Sequence, residues 1–136
     1  GKLNVFNGNI QANTDTVMCI LLDENYTPDV TNSTYADVSA NEITAQTDYT
    51  PQQVTTLAFT DSNGTILLDS DNISFGTNVS IKTKYAVFVK RSGTTLATGD
   101  LLLGYVDLDT SSTTATVSST NSEFSLNTPN GIFEAT

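Results

Sequence analysis

Carboxylates dominate the side chains of this chain that could do chemistry. The sequence has 15 acidic residues, five basic residues and no histidine. Without histidine there is no Ser-His-Asp triad, no Cys-His pair and no histidine metal site. Two carboxylates could still serve a glycosidase, but the available glutamates, Glu24, Glu42, Glu123 and Glu134, lie in no recognisable motif, and no tryptophan is present to stack on a sugar. The sequence therefore predicts a protein that is not an enzyme.

Many of the aspartates fall in short polar segments that read as turns. Segments 61–64 and 69–72 combine aspartate with small or polar neighbours, and segment 107–109 carries two aspartates around Leu108. Hard oxygen ligands at alternate positions can bind calcium, but none of these segments completes a twelve-residue calcium loop with its closing glutamate. Asp and Asn side chains also hydrogen-bond their own backbone in turns. We therefore expect no cofactor, with calcium at these turns as the alternative interpretation.

Cys19 is the one cysteine, so the chain cannot form an intrachain disulfide. Its neighbours are Met18 and Ile20, inside the apolar run TVMCILL. A nucleophilic cysteine needs an activating base, and the chain has no histidine to supply one. We interpret Cys19 as a small apolar residue of the core.

The charge of the whole chain limits its partners. The formal net charge is −10 at pH 7, and a body this acidic repels phosphate backbones and anionic lipid surfaces. No segment approaches the roughly 20 consecutive apolar residues that span a bilayer. Nucleic acid and membranes are therefore not expected partners.

Short strand-like segments recur along the chain, and long helical periodicity is absent. We predict strands at 3–7, 16–22, 54–60, 65–69, 72–76, 79–90, 95–108, 111–119, 122–126 and 131–135. The pair Asn63-Gly64 predicts a hairpin turn, and Gly99 and Gly104 predict a bulge or bend. The expected fold is all-β: one domain, residues 1–136, forming an antiparallel β-sandwich or barrel of about nine to eleven strands, with a jelly-roll-like arrangement as one form.

Two segments do not fit the regular pattern of strands. Residues 1–9 read as a strand or as an N-terminal arm. Residues 23–53, called the insertion below, carry helix-start signals at Ser33 or Thr34 before Asp37 and at Ser39 before Glu42. No helix of useful length can follow, because the segment is rich in β-branched residues and soon reaches a proline. The insertion is therefore expected to be a long, partly ordered loop.

Four of the five basic residues fall within one predicted strand and its turn. Lys82, Lys84 and Lys90 share one face of that strand by their period of two, and Arg91 follows in the turn. Lysines protect a solvated or edge face in many sheets. They could equally form a positive stripe that pairs with an acidic partner or a neighbouring subunit.

Several short segments, taken together, resemble small virion proteins of tailed bacteriophages. In and around the insertion lie LLDENYTPDV, TYADVSANEIT and DYTPQQV, and later segments are VSIKTKYAVFVKRSG, LLLGYVDL and NTPNGIFEAT. One departure is Asp48, which stands where the family usually has glycine before a tyrosine. The resemblance implies a β-sandwich that docks on a virus particle as a capsid decoration or cement protein, a head fibre, or a neck or tail accessory.

The resemblance also gives the insertion a role, because binding residues often lie on long loops of rigid scaffolds. The candidate residues either contact a partner or pack the loop onto the body, where it would cover an open end of the core: Tyr35, Val38, Asn41, Glu42, Ile43, Tyr49 and Pro51.

The expected function is that of a non-enzymatic virion structural protein, most simply a capsid decoration protein assembled in the bacterial host cytoplasm. Its partner would be the major capsid protein or another virion protein, and it would form a homotrimer or dimer. One alternative is a neck or tail accessory or a host-binding fibre head. A further alternative is a bacterial surface adhesin or pilin module, which could carry a Lys–Asn isopeptide bond near a buried acid.

Overall fold

The computed structural model describes residues 11, 14–62, 64–127 and 133–135. Its strands are β1 (Thr16–Leu22), β2 (Gln52–Gln53), β3 (Ala58–Ser62), β4 (Thr65–Asp69), β5 (Ile73–Ser74), β6 (Lys82–Thr83), β7 (Tyr85–Arg91), β8 (Leu101–Asp107), β9 (Val117–Ser118), β10 (Ser125–Leu126) and β11 (Phe133–Ala135). Two single 3₁₀ turns, Tyr35–Asp37 and Ser39–Asn41, are the helical elements of this part of the chain. The all-β prediction is confirmed, and the predicted segment 3–7 lies outside the described residues.

The strands form one four-stranded sheet and three smaller sheets, all antiparallel, and within the described ranges they close no barrel. The central sheet has the order β2-β1-β7-β8, while β11-β4-β3, β10-β5 and β6-β9 make the others. β1 pairs with β7 along its whole length, from Thr16 opposite Arg91 to Leu22 opposite Tyr85. The run TVMCILL is apolar at almost every position because this strand has a neighbour on each side and a packed layer on each face.

One face of the central sheet, called the first face, packs against the smaller sheets. From β1 it contributes Val17, Cys19 and Leu21, and from β7 it contributes Ala86 and Phe88. Facing them are buried residues of the smaller sheets and their connections: Val54, Leu68, Ile73, Phe75, Ile81 and Phe124. Cys19 has no exposed surface, and this burial raises the pKa of its thiol, as expected for a core residue.

The insertion covers the opposite, second face of the same sheet. Here Ile20, Val87 and Val89 form a separate buried cluster with Tyr26 and Val38, which both come from the insertion. A sheet with both faces apolar must be covered twice, and the part of the insertion from Tyr26 to Val38 supplies the second cover. The insertion is therefore a layer of the fold.

Several boundaries differ from those expected. β3 begins at Ala58 and not at residue 54, because Thr56 has a positive φ of 56° that interrupts an extended chain. Segment 111–119 contains only the two-residue strand β9, and the remainder forms turns. The hairpin between β3 and β4 is confirmed, with Ser62 opposite Thr65 and Gly64 at φ +82°.

The predicted bulge lies at one of the two glycines. In the β7–β8 pairing, Phe88 lies opposite Gly104 but Val89 lies opposite Leu102, so Leu103 is an additional residue on β8. Gly99 lies in the turn that precedes β8. The bulge changes which side chains of β8 lie on the second face of the sheet. After the bulge, Tyr105 pairs with Val87, which belongs to the second-face cluster.

Candidate functional site

The insertion is fixed to the body by a buried carboxylate. Glu42 is 7% exposed and forms an isolated β-bridge with Leu22 at the end of β1. The hydroxyls of Tyr35 and Tyr49 each donate to Glu42, at 2.5 Å to Oε1 and 2.5 Å to Oε2. The Tyr49 hydroxyl also accepts the Leu21 N–H at 3.3 Å. The Glu42 side chain thus joins three segments of the insertion, and the Glu42 backbone and the Tyr49 hydroxyl connect them to β1.

This cluster is a structural anchor. Burial raises the pKa of Tyr35 and of Tyr49, and the hydrogen bonds to the Glu42 carboxylate raise both values further. Both phenols therefore stay protonated near neutral pH and act as donors. Tyr49 packs with the first-face cluster and Tyr35 with the second-face cluster, so the anchor connects the two cores.

The structure shows the packing role for most of the insertion residues that the sequence singled out. The four buried ones, with 1–7% exposure, point into the body of the chain, which is the packing role, and a partner contact through them stays an untested prediction: Val38, Glu42, Ile43 and Tyr49. Asn41 donates from Nδ2 to Asp23 Oδ1 at 3.2 Å and holds the start of the insertion. Tyr35 and Pro51 are half-buried. The alternative expectation, a loop that covers the core, describes this segment.

Lys84 overturns the predicted basic face. Its side chain is fully buried, and its Nζ donates to Asp107 Oδ1 at 3.0 Å, to the Asp109 carbonyl at 2.6 Å and to the Ser112 carbonyl at 2.9 Å. The period of two fails because the chain bends at Lys84, between β6 and β7. The even-numbered face of β7 that follows is part of the core.

The other basic residues of β6 and β7 are each engaged in a separate contact. The Lys82 side chain is 60% exposed, with its Nζ 3.4 Å from Glu24 Oε1. Lys90 Nζ lies 3.5 Å from Asp15 Oδ2. Arg91 donates from Nε to the Gly93 carbonyl at 3.0 Å. A continuous positive stripe is therefore absent from the described part of β6 and β7, and exposed pairs of this kind contribute little to stability.

The ammonium group of Lys84 also lies against segment 107–109, one of the turns considered above as a calcium site. The oxygens around its Nζ belong to the 107–112 segment, so an internal ammonium takes the place that a cation would need there. In segment 69–72, Asp71 Oδ2 accepts the Thr56 hydroxyl at 2.6 Å, so this carboxylate holds the connection that precedes β3. Within the described ranges no three Asp, Glu or Cys side chains are grouped so as to hold a metal ion.

The sequence did not indicate an open groove of about 430 Å³ beside Lys84. It lies between the start of the insertion and the 110–113 turn, and the residues around it are Glu24, Tyr26, Thr27, Pro28, Tyr85, Asp107, Thr110, Ser112 and Thr113. The ring of Tyr85 meets Tyr26 edge-on at 5.4 Å and Tyr105 edge-on at 6.0 Å. Tyr105 is 45% exposed at the outer strand of the central sheet. No local motif marks such a groove, because segments distant in sequence form it.

A tight turn at residues 29–32, called the Val30 turn below, lies near Tyr26 and Tyr105. Asp29 Oδ1 accepts the Thr31 N–H at 2.8 Å and the Thr31 hydroxyl at 2.7 Å, and these bonds lower the pKa of Asp29. Asn32 Nδ2 donates to the Tyr26 hydroxyl at 2.9 Å. Val30, at the tip, is fully exposed. The available signal in the sequence was the aspartate of TPDVT, which is typical of a turn that bonds its own backbone.

The Val30 turn lies close to the exposed tyrosine. A cavity of about 40 Å³ separates them, lined by Asp29 and Asn32 of the turn and by Gly104 and Tyr105 of β8. The segments that carry Val30 and Tyr105 thus border the same cavity, and we call these two exposed residues the tip surface.

Comparisons with protein-family models, curated proteins and solved structures find no match to this chain. Among the described residues, no helix has the length and apolar character needed to cross a membrane. Interpretation of the groove and the tip surface therefore rests on their geometry and chemistry.

Proposed function

We propose that this protein is a non-enzymatic structural component of a virus particle, a decoration protein that binds the outside of an assembled capsid through the tip surface. The observation that carries the proposal is Val30, a fully exposed apolar side chain on a turn fixed by its own hydrogen bonds. Exposed apolar side chains favour burial in a partner. A turn that is already ordered loses little conformational entropy when it binds.

Tyr105 supports the same surface. Tyrosine supplies a large contact area with little rotamer freedom to lose, and it is enriched at the centres of protein interfaces. Its ring is held against Tyr85, which is buried in the second-face cluster, so its position is fixed before binding. The tip surface thus combines an apolar tip with an aromatic neighbour.

The charge of the chain specifies the partner surface further. A net charge of −10 repels acidic surfaces, and Asp29 lies next to Val30. The matching site on a capsid subunit would combine an apolar socket with neutral or basic neighbours. The segments LLDENYTPDV and LLLGYVDL, on which the resemblance to phage virion proteins is based, contain Val30 and Tyr105, and this supports the choice of the tip surface.

A small contact of this kind would stabilise a capsid because it is repeated at every copy of the protein. Binding to the assembled shell alone stabilises the shell by mass action at each copy. A dimer or trimer of this protein would join neighbouring capsid subunits and raise its avidity without any further contact per copy. This mechanism requires many copies on a regular lattice.

The first test is to measure the copy number and position of the protein in purified particles, by cryo-electron microscopy with quantitative mass spectrometry. Many copies on the shell lattice, contacting it through Val30 and Tyr105, are expected. A few copies at the neck or tail would replace this proposal with the accessory or fibre-head alternative. Absence from particles would refute a virion role.

The second test measures binding to shells stripped of the protein. Val30→Asp should reduce occupancy at least about tenfold, because it places a charge in an apolar contact. Phe59→Ser is the matched control, since Phe59 is 43% exposed on β3, in the sheet that covers the other face. Equal occupancy by Val30→Asp and the wild type would refute the tip surface as the contact.

The adhesin alternative makes a distinct prediction for Lys84. An isopeptide bond would need an asparagine side chain against Nζ, whereas the hydrogen-bond acceptors around Nζ are the Asp107 carboxylate and the carbonyls of Asp109 and Ser112. Intact mass spectrometry should therefore give the mass of the unmodified chain. Loss of one ammonia would instead favour the adhesin module.

A further inference from the structure

The groove of about 430 Å³ beside Lys84 has the size of a small-molecule binding site. It borders the Val30 turn through Tyr26, but neither Val30 nor Tyr105 lines it. A ligand in the groove and a capsid subunit on the tip surface would therefore use different residues.

The groove offers many hydroxyl groups and carboxylates together with an apolar patch. Four of its residues carry hydroxyls on short side chains: Thr27, Thr110, Ser112 and Thr113. Pro28 and the edges of the rings of Tyr26 and Tyr85 supply the apolar part. Such a surface can form several hydrogen bonds and also contact C–H groups.

Each carboxylate of the groove is already paired with a lysine. Glu24 Oε1 lies 3.4 Å from Lys82 Nζ, and Asp107 Oδ1 lies 3.0 Å from the buried Lys84 Nζ. These pairs offset the local negative charge while leaving carboxylate lone pairs as hydrogen-bond acceptors. The groove therefore favours a ligand that donates hydrogen bonds without carrying a charge.

We propose that this groove binds a neutral saccharide. A sugar ring presents several hydroxyl donors to Glu24 and Asp107 and accepts bonds from the threonine hydroxyls, while its C–H groups pack on Pro28 and the tyrosine edges. A lysine or arginine side chain of a peptide suits the groove less well, because the carboxylates that would attract it are occupied by Lys82 and Lys84. The proposal does not depend on where the protein sits on a particle.

The test is an NMR titration of the ¹⁵N-labelled protein with maltohexaose, cellohexaose and hexa-N-acetylchitohexaose at millimolar concentrations. We expect at least one of these neutral oligosaccharides to produce saturable shifts at the amides of Thr27, Tyr85 and Thr113. Saturation confined to this region gives both the site and the dissociation constant. Shifts that appear elsewhere, or no shift with any of the three sugars, would overturn the proposal.

Matched variants separate the groove from the general surface. Glu24→Gln and Thr113→Ala should each weaken binding about fivefold, the typical effect of losing one hydrogen bond to a ligand. Glu123→Gln and Thr114→Ala are the controls, because both residues are exposed and lie outside the groove. Unchanged affinity in both groove variants would overturn the assignment.

A charged probe distinguishes the competing ligand class. An Arg- and Lys-containing hexapeptide should leave the groove amides unshifted at 150 mM salt, where screening weakens interactions between exposed charges. Saturable shifts with this peptide and none with the sugars would replace the saccharide by a cationic side chain. Failure of sugar binding would leave the capsid-docking proposal intact, since its readout is occupancy through Val30.

Discussion

Replacing Lys84 with methionine keeps the length of a buried side chain but removes the ammonium shared by three oxygen atoms. Hydrogen bonds to a charged group contribute about 1.5–3 kcal/mol each. Here water can recover part of this value, because the Asp107 side chain is 26% exposed and Ser112 is exposed. With about 1 kcal/mol lost per bond, Lys84→Met should lower the free energy of unfolding by about 3 kcal/mol, near the lower end of the cost of breaking a buried pair.

Lys82 provides a control two residues away with the same change of side chain. Its ammonium lies 3.4 Å from Glu24 Oε1 and the side chain is 60% exposed, so Lys82→Met should change the free energy of unfolding by less than about 0.5 kcal/mol. Both variants are compared with the wild type by urea denaturation at pH 7, followed by circular dichroism. If the free energy of unfolding depends on urea concentration with the same slope in both variants and the wild type, the measured differences reflect stability and the denatured state is unchanged.

Hydrogen exchange locates the effect. The Leu108 N–H donates to the Lys84 carbonyl at 2.8 Å, and the Asp109 N–H donates to Asp107 Oδ1 at 3.1 Å. Lys84→Met should accelerate exchange in segment 107–112 more than in β1. A loss below about 1 kcal/mol, or an equal loss in the Lys82 variant, would refute the conclusion that a buried ammonium holds this segment.

Three further predictions concern the anchor and one turn. Glu42→Ala leaves the hydroxyls of Tyr35 and Tyr49 without their acceptor, so the free energy of unfolding measured by urea denaturation should fall by about 2–4 kcal/mol. A fall of less than about 1 kcal/mol would contradict the role of Glu42 as an anchor. The free energy of unfolding should fall as the pH rises above about 10. The raised pKa values of Tyr35 and Tyr49 keep both phenols neutral in the folded state, while the same phenols ionise in the unfolded chain. A melting temperature that does not change between pH 9 and 11 would argue against this prediction. Gly76→Ala should cost about 1–3 kcal/mol, since φ is +134° and an added Cβ would lie 2.6 Å from Val79 Cγ1; Gly93→Ala, at a glycine with open space around it, is the control for this variant.

Features that depend on neighbouring residues could be predicted from the sequence. The apolar run around Cys19 indicated a central strand, and the Asn63-Gly64 pair indicated the hairpin whose flanking residues Ser62 and Thr65 pair. The helix-start signal at Thr34 was also informative, since Asp37 Oδ2 accepts the Thr34 N–H at 3.0 Å. The capping geometry forms, but a single turn follows because the next residues pack into the sheet.

Features that depend on distant segments could not be predicted. A period of two places Lys84 with Lys82 only if one strand runs through both, and the bend between β6 and β7 breaks that condition. The exposure of Tyr105 follows from β8 being the outer strand, which the sequence does not specify. The groove needs the start of the insertion and the 110–113 turn to meet, and no local pattern encodes that meeting.

The pairing of β1 with β7 has a consequence for how the chain reaches this fold. Leu22 pairs with Tyr85, so β1 cannot form its long pairing until β7, which is synthesised much later, is available. The insertion then has no complete surface to cover until that pairing exists, because its cluster needs Val87 and Val89. Topologies dominated by such distant pairs fold in milliseconds to seconds, far more slowly than those built from local contacts. On the ribosome, the nascent chain would remain unfolded until most of it has emerged.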